Sequence, residues 1–461
     1  MLQTTAISPL VAKAALSAPT GKKKVIIAGG GIAGLSCAYE LNRSGHNVTV
    51  LEASDRVGGH VKTVRNDLPD GLYVDAGAEQ FTKPGYDLYW SYVREFDLPY
   101  IQDHRRDHMF RCIGDRMYTE EQLADPKILS EFGLNQREID YLRRHSWWEL
   151  AHVYFDKYTD AFKDEYKPFN AGLDELDTIT TSELLKRDGA SDACIRYIGG
   201  NGSALHNVWH TAILKLRGVP LWPVDVFRLK GGNTLLPETF AKKLGDRVKL
   251  NCPVVAISHS ETEVTVEYRE SGERKKISGD HLVCCMSAVM LRQIPITSPF
   301  SEDKHWAIAN VPYYSATRPV FLAKSKFWRE QNVSINIEFS QAALEHTWSM
   351  ADDVESAHGL ITGTSQPGVA GEKALQAFRQ LYPGKKDTIT QTSVIDWSRD
   401  PWCMACETIS YRPGQLKRFW PEIIKPYGRI HFAGAYCDNL NWGQEAATRS
   451  GHRVAKEINE A

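Results

Sequence analysis

Residues 24–28, KVIIA, form an apolar, β-branched run that predicts a strand buried in a parallel sheet. After a glycine-rich gap, apolar side chains at Leu35, Ala38, Tyr39 and Leu41 recur at helical spacing. Gly45 closes that helix, and "NVTVLEA" predicts a second strand finishing at Glu52. The same alternation returns at the far end, with a strand over Arg429–Phe432 and a helix over Gln444–Ile458. Between the two ends the pattern changes. "RVKLNCPVVAISHSETEVTVEY" alternates like paired strands turning near Ser260–Glu261. "LNQREIDYLRRHSWWELAHVYFDKY" has helical spacing, with Trp147 and Trp148 expected in a core or domain interface, and "RPVFLAKSKFW" reads as a strand. The fold class is therefore α/β, a Rossmann-type dinucleotide-binding domain with an inserted α+β domain.

A chain of 461 residues is long enough for two or three domains, and 42% hydrophobic with 24% charged residues is ordinary for a soluble protein. A net charge of −2 supplies no basic field for nucleic acid or an anionic membrane surface. No apolar run approaches the ~20 residues of a membrane span. Residues 1–22 are expected to be a mobile tail rather than a secretion signal, since a basic leader is missing. The nine cysteines are scattered, which points to a reducing, cytoplasmic setting. Cys403 and Cys406 form a lone C-x-x-C with no second pair at a zinc spacing, so no metal is expected.

The first gap carries the chemistry. Gly29, Gly31 and Gly34 fit G-x-G-x-x-G between a strand and a helix. That geometry brings backbone and a helix N-terminus up to a pyrophosphate. Glu52 lies 18 residues after Gly34, where an acid accepts hydrogen bonds from ribose hydroxyls and disfavours a 2′-phosphate. Arg56 and the Gly58–Gly59 pair extend the phosphate-binding surface.

The set E-A-x-x-R-x-G-G from Glu52, D-x-G-A from Asp75, "KGGNTLLPETFA", "FAGA" and "WGQEAATRSG" resembles the flavin-containing amine oxidase family, most like an L-amino acid oxidase. The resemblance runs from about Lys23 to the C-terminus. It implies FAD, preferably non-covalent, in a discontinuous domain of residues 23–80, 230–290 and 425–461, with residues 81–229 and 291–424 forming the substrate domain. Cofactor contacts are then expected from Gly29, Gly31, Ile32, Ala33, Gly34, Glu52, Ala53, Arg56, Gly58, Gly59 and His60. Further contacts fall on Gly77, Ala78, Glu79, Val254, Gly434, Ala435, Gly443, Gln444 and Glu445. The helix beginning at Gln444–Glu445 would direct its positive end at the isoalloxazine ring. The implied partners are a small amino acid or amine and oxygen, with room for a homodimer. The implied reaction moves hydride from the amine-bearing carbon to flavin N5, gives an imine that water hydrolyses, and ends in hydrogen peroxide.

The chain departs from the family pattern at several site positions. Gln80 stands where many L-amino acid oxidases carry a carboxylate-binding arginine, and Arg318 stands where the family carries a lysine near flavin N5. Arg318 or another pocket arginine would take over the carboxylate, or Arg318 would form a surface salt bridge. Glu407 and Gly443 fall where monoamine oxidases place an aromatic pair, leaving Trp442, Tyr436 and Trp402 to form a different wall. Cys406 falls where some relatives bind flavin covalently. Trp222, at an expected domain junction, would shape a side-chain pocket or belong to the core. Besides an L-amino acid oxidase, an oxidase of monoamines or polyamines would use Glu79 and Glu407 to hold a distal cation. A flavin-free prenyl-protein chaperone is opposed by Glu52, Arg56 and the C-terminal helix.

Overall fold

The computed structural model describes residues 21–461 except 115, 223–224, 331–332, 342, 383–386, 405–406, 409–410 and 441–442, with backbone only for 340, 341, 407 and 408. The N-terminal tail, Cys406 and Trp442 thus lie outside the described residues, apart from Gly21 and Lys22 of the tail. The first βαβ unit follows the hydrophobic pattern closely. It comprises strand β1 (Lys24–Ala28), helix α1 (Ile32–Arg43) and strand β2 (Asn47–Leu51). Val25 to Ala28 are fully buried, as a central strand covered on both faces must be.

Three short strands complete a five-stranded sheet: β3 (Val248–Lys249), β4 (His281–Cys284) and β5 (Ile430–Phe432). The order is β3-β2-β1-β4-β5, and every pairing is parallel. Strand β5 therefore arrives from nearly 400 residues away to pair beside β4. The helix that follows it, α2 (Gly443–Glu460), packs on α1. Their approach is close: a Cβ on Gly451 would lie 2.4 Å from the Ala33 carbonyl oxygen.

The segment after β3 folds into antiparallel strands Val254–His259, Val264–Glu270 and Glu273–Gly279, so the expected turn at Ser260–Glu261 is a four-residue loop. The inserted region carries a seven-stranded sheet whose centre is Thr317–Ala323, Gly359–Thr364 and Leu344–Met350. Its helical part packs around Ala204–Leu216, with Trp209 fully buried. The stretch expected as one helix over 134–158 is broken into Gln136–Leu142, a turn at Trp147–Glu149, and His152–Thr159. Two capping boxes, Asn135 with Glu138 and Ser146 with Glu149, restart the chain at these points. Trp147 packs edge-on against Phe132 and Tyr197, while Trp148 remains 37% exposed. Among the described residues no helix is long and apolar enough to cross a membrane.

Candidate functional site

The loop between β1 and α1 is shaped by its glycines. Gly29 has φ +113°, and a Cβ there would press within 3.1 Å of the Cys285 backbone. A Cβ on Gly34 would lie 2.1 Å from the Gly29 carbonyl oxygen, which fixes how closely helix and strand approach. Gly31 is different, since its Cβ would meet nothing. Gly31 is the N-cap of α1, with no side-chain cap and no acid in the first turn, so the helix's amide groups and partial positive charge open outward.

Glu52 sits just beyond β2. Its Oε2 accepts the Gly30 N–H at 2.6 Å, and its Oε1 accepts the Ser54 N–H and hydroxyl, both at 2.8 Å. The Arg56 guanidinium folds back to donate to the Gly59 carbonyl at 2.8 Å, bracing the glycine pair.

These groups line one cavity of about 710 Å³ running from Glu52, Ser54 and Val254 to Arg318, Tyr436 and Gln444. On its wall near the N-terminal βαβ unit lie Gly29, Gly31, Ile32, Ala33, Glu52, Ala53, Arg56, Gly58, Gly59 and His60. Gly77, Ala78, Val254, Gly434, Ala435, Gly443 and Gln444 line the rest. Tyr436 and Trp402 also face it, so an aromatic wall exists without the pair at 407 and 443.

Two buried polar atoms point to a missing occupant. The His60 Nε2 and Gln444 Oε1 have no hydrogen-bond partner in the protein, and both residues line the cavity. Burial pushes the His60 imidazole down to about 4, so it is neutral at physiological pH. A buried unsatisfied polar group is costly unless a ligand supplies its partner. Helix N-termini stand at both ends, α1 toward the Glu52 side and α2 toward the Gln444 side. The donor set fits an extended dinucleotide whose diphosphate meets α1 and whose ring system meets α2.

Two residues expected on the wall stand behind it. The Glu445 carboxylate accepts the Leu88 and Tyr89 N–H groups at 3.1 and 2.9 Å, capping helix Asp87–Glu95, and lies 3.4 Å from Arg217. Burial raises Glu445 to about 7. Glu79 is held between two guanidinium groups, with Arg105 and Arg318 each 3.1 Å away. Neither alternative framed for Arg318 describes its setting fully. It lines the cavity but is not at the surface (13% exposed), and it also donates to the Thr364 hydroxyl at 2.9 Å and the Gly77 carbonyl at 3.3 Å.

Gln80 receives a hydrogen bond from Arg105 at 3.1 Å through its side-chain oxygen, and its carbonyl accepts from Gln444 at 3.2 Å. The backbone of Glu407 pairs with Tyr314, a cavity residue. Trp222 stacks on Trp148 with ring centres 5.1 Å apart. The arginines at 105 and 106 were not legible as site residues, because "IQDHRRDHM" has no periodicity and falls mostly in irregular structure.

A family model for flavin-containing amine oxidoreductases matches residues 32–459. The L-amino-acid oxidase of Notechis scutatus scutatus is 27% identical over 481 residues, covering 98% of this chain and 89% of that protein. The L-amino-acid oxidase of Bothrops atrox is 27% identical over 477 residues, covering 98% and 91%. Among solved structures, a putrescine oxidase bound to putrescine superposes with a TM-score of 0.77 at 20% identity, covering 95% of this chain and 99% of that one. Cyclohexylamine oxidase from Brevibacterium oxydans IH-35A gives 0.77 at 21% identity with the same coverage. At these identities the solved structures speak for the fold alone.

Proposed function

The chain belongs to the flavin-containing amine oxidoreductase family, and from that premise we propose that it oxidises L-amino acids to 2-oxo acids, ammonia and hydrogen peroxide. The observation that carries this reading is the state of Glu79. Clamped by Arg105 and Arg318, it is neutralised as an anchor for a second ammonium group, and the surroundings favour an anion instead. Curated relatives matching almost the whole chain are L-amino-acid oxidases, which supports the same choice.

Non-covalent FAD would lie along the cavity, its diphosphate at α1 and Gly59, its ribose at Glu52, and its ring beside His60, Gln444 and α2. When bound, the flavin accepts a hydride from the carbon bearing the amine. The protein's part is to orient that C–H bond and to keep water away. The N-terminus of α2, worth about half a unit charge, stabilises negative charge on the reduced ring. An apolar wall including Tyr436 and Met286 favours the neutral amine that the reaction requires. A second reading, oxidation of amines lacking a carboxylate, draws support from Gln80 standing in place of the arginine many L-amino acid oxidases carry.

A peroxide assay over L-amino acids, D-amino acids, monoamines and polyamines tests the proposal. Turnover of L-amino acids is expected, and turnover confined to amines without a carboxylate would overturn it. Acid precipitation separately tests the flavin linkage: yellow supernatant is expected, and colour retained in the pellet would refute non-covalent binding.

A further inference from the structure

We propose that Arg106, stacked on Trp222, binds the carboxylate of the substrate. This rests on the amino-acid reading above and gives it a specific anchor.

The inference starts from charge pairing. Arg105, Arg228 and Arg318 each have an acid within reach: Glu79 and Asp103 for Arg105, Asp103 for Arg228, and Glu79 for Arg318. Arg111 has its own two, Glu120 and Glu338. Arg106 has none among the described residues, and its buried Nη1 has no hydrogen-bond partner. The charged or ionisable groups acting on it are Arg105, Tyr86, Asp103 and Arg111. Asp103, the one acid of that set, is already committed to Arg105 and Arg228.

A buried guanidinium without a counter-ion is costly, and an incoming anion removes that cost. Burial, with Arg105 beside it, pushes Arg106 down only to about 10, so it remains charged at neutral pH.

Geometry suits the task. The Arg106 guanidinium lies 3.8 Å from the centre of the Trp222 ring. Trp222 in turn stacks on Trp148 at an interplanar angle of 14°, with Arg111 4.9 Å from the Trp148 ring. The aromatic pair supports the guanidinium through its face and leaves the N–H edge free to fork onto a carboxylate. Tyr86 links this place to the cofactor cavity. Its hydroxyl lies 2.7 Å from where a Cβ on Gly443 would be, and Gly443, the first residue of α2, lines the cavity. Arg318 is the weaker candidate, because its donors are already engaged by Glu79, Thr364 and the Gly77 carbonyl.

The test compares wild-type holoenzyme with R106M and R106K, using flavin content to confirm assembly. Two readouts are taken: steady-state kinetics on the L-amino acid turned over fastest, and titration with acetate, propanoate and 3-phenylpropanoate followed by flavin absorbance. R106M should lose about 100-fold in kcat/KM, chiefly through KM, the scale of breaking a charge-assisted contact. It should also lose the spectral response to carboxylates. R106K, which keeps the charge but not the fork, should fall between and serves alone if R106M does not retain flavin. Unchanged KM and unchanged carboxylate titration in R106M, or in R106K when it alone assembles, would overturn the assignment. If the wild type oxidises no L-amino acid, the functional reading fails on its own. The titration then decides Arg106 separately: binding that depends on Arg106 upholds the site, and wild-type enzyme blind to all three carboxylates overturns it.

Discussion

Replacing Glu79 by Ala should destabilise the protein through two stranded guanidinium groups, and the size of the effect follows from its contacts. A carboxylate and a guanidinium whose charge centres lie about 4 Å apart attract by about 4 kcal/mol at an effective dielectric of 20. Two such partners, Arg105 and Arg318, suggest about 8 kcal/mol, but desolvating three buried charges cancels much of that. Removing one member of a buried pair costs about 3–5 kcal/mol, because the survivor stays buried and uncompensated. Here Arg105 keeps Asp103 at 3.5 Å and Arg318 keeps the Thr364 hydroxyl at 2.9 Å, so the lower end, about 3 kcal/mol, is expected.

The assay is urea unfolding of holoenzyme followed by tryptophan fluorescence, applied to E79A, R318M and the double variant. The double variant should be less damaged than the sum of the singles by about 1 kcal/mol or more, since R318M removes one of the charges that E79A strands. Effects of the singles that add to within about 0.5 kcal/mol would refute the claim that Glu79 and Arg318 form a working ion pair.

Gly77→Ala would set a Cβ 1.8 Å from the His60 carbonyl oxygen and 2.9 Å from the Trp397 ring; a loss of about 3 kcal/mol is expected together with reduced flavin content, read from the ratio of visible to protein absorbance. Gly451→Ala pushes against the Ala33 carbonyl at 2.4 Å and the Ser36 hydroxyl at 2.6 Å, and should cost about 1–3 kcal/mol in thermal or urea unfolding as α2 is levered off α1. Glu445→Gln tests a titration. The folded pKa of Glu445, about 7, stands above its ordinary 4.5, so its protonated form favours the fold below about 4.5 and that contribution is lost as pH rises through 7. The stability of E445Q relative to wild type should therefore be more favourable at pH 8 than at pH 5, and an equal difference at both pH values would count against a raised pKa.

The dinucleotide half was legible because its signals are local. The run before Gly29, the glycine spacing and the acid at Glu52 each act within one βαβ unit, and β1, α1 and β2 follow them within about a residue. The C-terminal strand and helix were legible for the same reason. Function at Glu445 was harder to read. A glutamate in the first turn of a helix suits a nearby ligand ring by dipole logic, but its partners are the amides of a helix that begins at Asp87, over 350 residues earlier. Arg105 and Arg106 were invisible for a related cause. Their meaning depends on which acids are already claimed, and pairings such as Arg318 with Glu79 span more than 200 residues. Helical spacing over 134–158 was real but could not show that Asn135 and Ser146 would each cap a new segment.

The cavity wall uses Gly29 at one extreme and Ala447 at the other, joined where Gly451 rests on Ala33. A nascent polypeptide emerging from the ribosome therefore has no place to lodge the coenzyme until translation has passed nearly the whole message. Loading must be a late event, and any ribosome stalled short of the final helix releases a colourless product, however well its earlier parts have collapsed.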